Sequence, residues 1–126
     1  MSFMLTTQQV RDGTKTVTRR NGWWFLKPGD RVMACVKCQG LGRGGKIEKI
    51  REIEIVSVRR ERLHRIIEGA GGYGRGEMIA EGFPNMTPAD FLLMFCAHHV
   101  GATPDSFVNR IEFKYVTPAP LPEVKP

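Results

Sequence analysis

The sequence predicts an α+β fold, a small and strongly bent antiparallel sheet or barrel with two or three short helices on its flanks. Three observations predict it. Apolar and polar residues alternate at period two over 47–58 and again over 106–116, the spacing of half-buried strands. Glycine- and proline-containing turns separate the extended segments. A segment opening Thr87-Pro88 carries its apolar residues at helical spacing.

Taken in order, residues 6–12 read as a short helix with Thr6 as N-cap and Gly13 as the residue that ends it. Residues 16–20 then run extended, because threonine and valine favour a pleated surface. Asn21-Gly22 turns the chain into Trp23-Trp24-Phe25-Leu26, its densest apolar cluster. Adjacent tryptophans in an extended segment face opposite ways, so one packs inward while the other is free to stack on a base. Lys27-Pro28-Gly29-Asp30 is a turn before a strand over 31–35.

Residues 40–46 contain a formal GxxxxGK, but Ile47 stands where a phosphate-binding loop needs Ser or Thr. This stretch reads as a hairpin loop whose Arg43 and Lys46 can touch a phosphate. The strand that follows slips phase at Val56, the mark of a bulge or sharp bend. Residues 59–68 place Leu63, Ile66 and Ile67 at helical spacing among four arginines, a short basic helix. Residues 69–74 match GxGxxG without a preceding strand and read as a loop. Residues 77–83 form a helical turn ended by Gly82, and Thr87 caps the next helix, with Pro88 at its first position. His98 and His99 fall at that helix's C-terminal end, where capping accounts for them. Residues 106–116 supply a strand expected to close the sheet.

The chain of 126 residues fits one domain, 1–116, followed by a proline-rich, disordered tail over 117–126. No apolar run approaches the ~20 residues of a membrane-spanning helix. The first residues lack the basic start and apolar stretch of a secretory leader, which points to the cytoplasm. The net charge of +6 is polarised, +9 over residues 1–65 and −3 over the remainder. A polyanion partner is one reading of that asymmetry, and solubility is the other. Three cysteines in such a chain read as free thiols. Cys35 and Cys38 with Cys96, His98 and His99 fall short of a zinc site, since a second CxxC is missing. Neither a metal nor a cofactor is expected.

The chemistry concentrates in Gly13-Thr14-Lys15-Thr16-Val17-Thr18-Arg19-Arg20. A turn glycine, hydroxyls, an amine and two guanidiniums within eight residues are what an activated nucleophile or a phosphate contact needs. A solvated amphipathic strand would show the same residues. With Pro28-Gly29-Asp30-Arg31-Val32, Ala80-Glu81-Gly82-Phe83 and the closing Arg110-Ile111-Glu112-Phe113-Lys114-Tyr115-Val116, this octapeptide resembles the motif series of the ASCH domain, a branch of the PUA-like superfamily. The likeness spans about residues 1–116 and is to compact ASCH proteins of bacteria and their phages.

That resemblance implies a barrel of five or six strands with a basic cleft. It also implies RNA or a modified nucleoside as ligand, and an amidohydrolase acting on N4-acetylcytidine-like nucleosides. It carries over Lys15, Thr18 and Glu81 as working residues, with Arg20 as the motif's closing arginine. The chemistry of those residue types then makes Thr18 the nucleophile, Lys15 the base and Glu81 the proton shuttle, and Thr16, Arg19, Arg20, Trp23, Trp24, Arg43 and Lys46 are read as holding ligand. Because residues 15 and 18 of a regular strand face opposite ways, Lys15 must belong to the turn before it. An RNA-binding module or single-strand ribonuclease without deacylation is the alternative, and a non-enzymatic structural or interaction protein a further one. The sequence leaves the oligomeric state open.

Overall fold

The computed structural model describes residues 1–38, 42, 44–69 and 71–117; Arg43 and the proline-rich stretch beyond Thr117 lie outside the described residues. The chain is α+β. One turn of 3-10 helix, Met4–Thr6, leads into helix α1 (Thr7–Asp12), then strands β1 (Val17–Arg20), β2 (Arg31–Cys35) and β3 (Lys49–Arg62). Helices α2 (Arg65–Glu68), α3 (Tyr73–Glu81) and α4 (Pro88–His98) follow, and β4 (Phe107–Tyr115) ends the series.

The four strands form one antiparallel sheet in the order β1-β4-β3-β2. This corrects the expected five- or six-stranded barrel. No pairing joins β1 to β2 among the described residues, so the sheet stays open, extended only by an isolated bridge between Ser2 and Cys35. Among the described residues four α-helices, not two or three, flank it. β4 does not close an edge but fills the centre, between β1 and β3.

Period-two alternation along β4 divides the core into two layers. Ile111 and Phe113 face a cluster with Phe3, Val10, Leu26, Ile53 and Ile55, closed by the N-terminal segment and α1. Val108 faces the opposite way, into Leu63, Ile66, Met78, Phe91, Leu92 and Phe95 from α2–α4 and the turn ahead of them. The sheet is thus covered on both faces, and the free edge of β1 lies between the two layers.

Local signals explain most boundaries. Gly13 ends α1 at φ 80° and Gly82 ends α3 at φ 93°, both left-handed conformations that favour glycine. Thr87 accepts the Asp90 amide at 3.1 Å and caps α4, as its Thr-Pro opening predicts. Thr6 precedes α1 but makes no side-chain cap bond. β3 carries its irregularity between Ile55 and Ser57, at the predicted slip.

Two expectations fail here. Residues 59–62 belong to β3 rather than to a basic helix, because Arg59, Arg60, Glu61 and Arg62 pair in register with Arg110, Asn109, Val108 and Phe107. Cross-strand pairing outweighs a local helical spacing that extends only over 65–68. Cys35 and Cys38 are joined in a disulfide, Cα atoms 6.1 Å apart, rather than being free thiols; Cys96 alone is free. β2 ends at Cys35, so the chain turns and the opposite-face rule for strand residues no longer separates the two sulfurs.

Gly74 in α3 lies against α2 and α4, and an added methyl would collide with the Ile66 carbonyl oxygen and stand 2.9 Å from Pro88 Cγ. Gly74→Ala is expected to lower stability by about 1–3 kcal/mol despite alanine's better helix propensity, read as a lower midpoint in urea denaturation. An unchanged or raised midpoint would refute this packing account.

Candidate functional site

Lys15 sits in the turn ahead of β1, as strand geometry requires, and its backbone is held from three sides. The Tyr115 hydroxyl donates to the Lys15 carbonyl at 2.6 Å, the Thr16 amide donates to Ala80 O at 2.8 Å, and the Phe113 amide donates to Thr16 O at 2.9 Å. Thr16 keeps its side chain in solvent and contributes these backbone bonds. So anchored, Lys15 is only 2% exposed, and its ammonium donates to Glu81 Oε1 at 2.8 Å and to the Glu81 carbonyl at 2.7 Å.

Glu81, the last residue of α3, is likewise 2% exposed, and its second oxygen accepts from Arg19 Nη1 at 3.0 Å. Arg19 also donates to Glu61 at 2.8 Å and to Glu77 at 2.5 Å. Glu77 takes two further bonds from Arg110, at 2.5 and 3.0 Å. The Tyr73 hydroxyl donates to Glu61 at 2.6 Å. Lys15, Arg19 and Arg110 therefore face Glu61, Glu77 and Glu81, and the more exposed Arg59 and Arg65 add contacts to Glu61 at 3.2 and 3.5 Å.

The ionisation equilibria follow from burial and pairing. Burial lowers the Lys15 pKa below the usual lysine value, and Glu81 pushes it part of the way back. Burial opposes the charge of Arg19 too, but its three carboxylates outweigh the loss and raise its pKa. For Glu77, burial alone would raise the pKa; the bonds from Arg110 and the charge of Arg19 bring it down to about 2. Glu61 is lowered in the same way, with burial opposed by bonds from Tyr73 and Arg19.

Arg20 behaves differently. Its Nε donates to Thr18 Oγ1 at 3.0 Å and its guanidinium lies 4.7 Å above the Phe3 ring. Among the described residues no carboxylate comes within ion-pair distance of it. Burial pulls its pKa down to about 10, still charged at neutral pH.

Lys15, Thr18, Arg19, Arg20 and Glu81 all line one cavity of about 430 Å³ at the edge of β1. Opposite stands an aromatic wall, built from the pairs Phe83–Phe91, Phe91–Phe95 and Phe95–His99, the last stacked with centroids 3.9 Å apart. Met4, Leu5 and His98, all exposed, mark the rim. His98 and His99 do cap α4, through Nδ1 contacts with Met94 O at 2.8 Å and Phe95 O at 2.9 Å, and both also line the cavity.

Of the residues singled out from sequence, the cavity gathers Lys15, Thr18, Glu81, Arg19 and Arg20. It does not gather Thr16, Trp23, Trp24 or Lys46. Trp23 packs against the core and Trp24 is exposed elsewhere on the surface. Glu61, Glu77 and Arg110 were not singled out as site residues, Arg110 entering only as the start of the closing strand motif. For the two glutamates the one sequence signal is an acidic residue at an inward strand position or beside helix glycines, which reads equally as surface. Among the described residues no group of His, Cys, Asp and Glu is arranged to hold a metal ion, and no helix is long and apolar enough to cross a membrane.

No family model matches this chain, and no curated protein or solved structure matches it.

Because Glu61 and Glu77 hold their charge more readily in the fold than the unfolded chain does, they stabilise it fully above about pH 4.5. That contribution is lost as pH falls from there through the folded pKa of Glu77 at about 2. Urea denaturation across pH 2–7 is expected to show a plateau above about pH 5 and a steep fall below it. Glu77→Gln should flatten that slope while costing on the order of 3 kcal/mol at neutral pH, since it leaves Arg19 and Arg110 underpaired. An unaltered acid slope in the variant would remove Glu77 from this role.

Proposed function

We propose that the chain is an ASCH-type, PUA-like hydrolase of acylated nucleosides, cleaving the exocyclic amide of an N4-acetylcytidine-like substrate. One observation carries the reading. Lys15, Thr18 and Glu81, 66 residues apart at their extremes, line the same nucleoside-scale cavity beside an arginine that no carboxylate neutralises. A volume of about 430 Å³ suits a small molecule and is too small for a folded polynucleotide. The aromatic wall offers ring faces to a planar base.

The residues supply each step of amide cleavage. Lys15 passes its extra proton to Glu81, 2.8 Å away, and is left as a neutral base, a transfer that burial assists. Thr18 Oγ adds to the acetyl carbon and gives its proton to Lys15 Nζ. The negative charge that develops on the carbonyl oxygen meets the free amines of Arg20, which through Nε also stabilises the oxygen of Thr18. The C–N bond breaks as Glu81 returns its proton to the exocyclic nitrogen. Water then cleaves the threonyl ester, restoring the hydroxyl and releasing acetate.

Incubation with N4-acetylcytidine should yield cytidine and acetate in equal amounts. Thr18→Ala and Lys15→Met should each lower kcat by about 10²–10⁴-fold. Arg20→Lys should lose part of the rate, because an ammonium cannot span both oxygens as a guanidinium does. The rate should fall as pH rises through a lysine pKa below the ordinary ~10.4, because the proton that Glu81 returns to the leaving nitrogen is then lost. Turnover surviving in Thr18→Ala would refute the nucleophile. No turnover of any acylated cytosine nucleoside would refute the reaction.

A further inference from the structure

A second feature lies outside the cavity. Trp23 is the one non-glycine residue with positive φ, 59°, among the described residues. A bulky side chain in that region is costly and persists only where neighbours enforce it. The enforcing contact is Asn109 on β4, 2% exposed, whose amide donates to the Trp23 carbonyl at 3.0 Å. The strained turn tucks Trp23 against the core and puts the next two aromatics in solvent, Trp24 at 52% and Phe25 at 71% exposure.

Arginines flank these rings. Arg60 lies 4.2 Å above the half-exposed Phe107 ring and 5.9 Å from Trp24, while Arg62 covers the same Phe107 at 4.5 Å. Among the described residues neither arginine has a carboxylate within 4.0 Å, since the acid between them, Glu61, points through the sheet to Arg19. Among these residues Arg62 spends Nη1 on the Asp105 carbonyl at 3.2 Å and keeps its other donors, Arg60 keeps all of its own, and both lie against the Phe107 ring.

We infer that this surface binds single-stranded nucleic acid, bases stacking on Trp24 and Phe25 and phosphates bonding to Arg60 and Arg62. Exposed aromatic faces interleaved with unpaired guanidiniums recognise that polymer through its two repeating features, a ring and a charge. An acidic polypeptide offers only the charge. A duplex hides its ring faces. Nothing in this inference depends on the chemistry of the cavity.

The test is fluorescence anisotropy of a fluorescein-labelled oligouridylate decamer titrated with the full chain, with poly-glutamate and a hairpin duplex as competitors. Arg60→Ala with Arg62→Ala should weaken binding at least about tenfold and reduce the slope of log affinity against log salt by about 1.4. Trp24→Ala should weaken it about tenfold, whereas Trp24→Phe, which keeps a ring, should stay close to the parent. Deacylation of the free nucleoside should be unchanged in all of these variants. Absence of binding, equal competition by poly-glutamate, or full binding in the double alanine variant would each overturn the inference.

Discussion

A single guanidinium organises this protein. Arg19 is 3% exposed and reaches Glu61 on β3 and Glu77 and Glu81 on α3, so one side chain ties the edge strand to the next strand but one and to the helix over it. A lone buried cation would be expelled or neutralised; here each charge has an opposite at hydrogen-bond distance. Such a network adds less stability than its bonds imply, because every ion gave up water to enter it. What it does add is position. Glu81 cannot leave Arg19 without uncovering it, and Lys15 cannot leave Glu81.

The neighbouring arginine shows why two consecutive cations are useful on one strand. Side chains alternate across the sheet, so Arg19 and Arg20 are delivered to opposite faces, one to the carboxylates under α3 and the other to Phe3. Both terminal nitrogens of the first are engaged by carboxylates. Among the described residues the second bonds only to Thr18, two residues back on its own face, and keeps donors for a ligand. Backbone bonds around Lys15 and Thr16 complete the frame, since they clamp the turn between Ala80, beside Glu81, and the β4 residues Phe113 and Tyr115.

Much of the fold was legible where the signal is local. The bulge at Val56, the cap at Thr87, the stop at Gly82 and the placing of Lys15 before the strand all depend on residues within a few positions of one another. Lys15, Thr18 and Glu81 were legible through motif resemblance and do come to one cavity. Most of what failed depends on long-range pairing; the Cys35–Cys38 disulfide and the missing side-chain cap at Thr6 are the local exceptions. Nothing near Arg59 to Arg62 announces that they match Arg110 to Phe107, and with that register unknown Glu61 could not be placed beside Arg19. β4 was expected to close the sheet, whereas its alternating apolar face let it serve as the central strand between two core layers. The aromatic wall of the cavity was read only as core, since periodicity cannot distinguish a ring packed against protein from one facing a void.

Asn109 joins the two surfaces that the fold exposes. In the strand register it lies opposite Arg20 on β1 and opposite Arg60 on β3, so the three occupy one row across the sheet on the same face. Strand spacing sets Arg20 and Arg60 about 10 Å apart along that row. Between them the Asn109 amide fixes the turn that carries Trp24. A buried amide therefore holds in common register an arginine at the cavity and an arginine among exposed aromatics. Neither arginine is free to shift against the other unless β4 slips, and a slip by one residue would turn Ile111 and Phe113 out of the core. Hydrophobic register thus fixes the distance between the two cationic sites, just as the carboxylates around Arg19 fix the floor of the cavity.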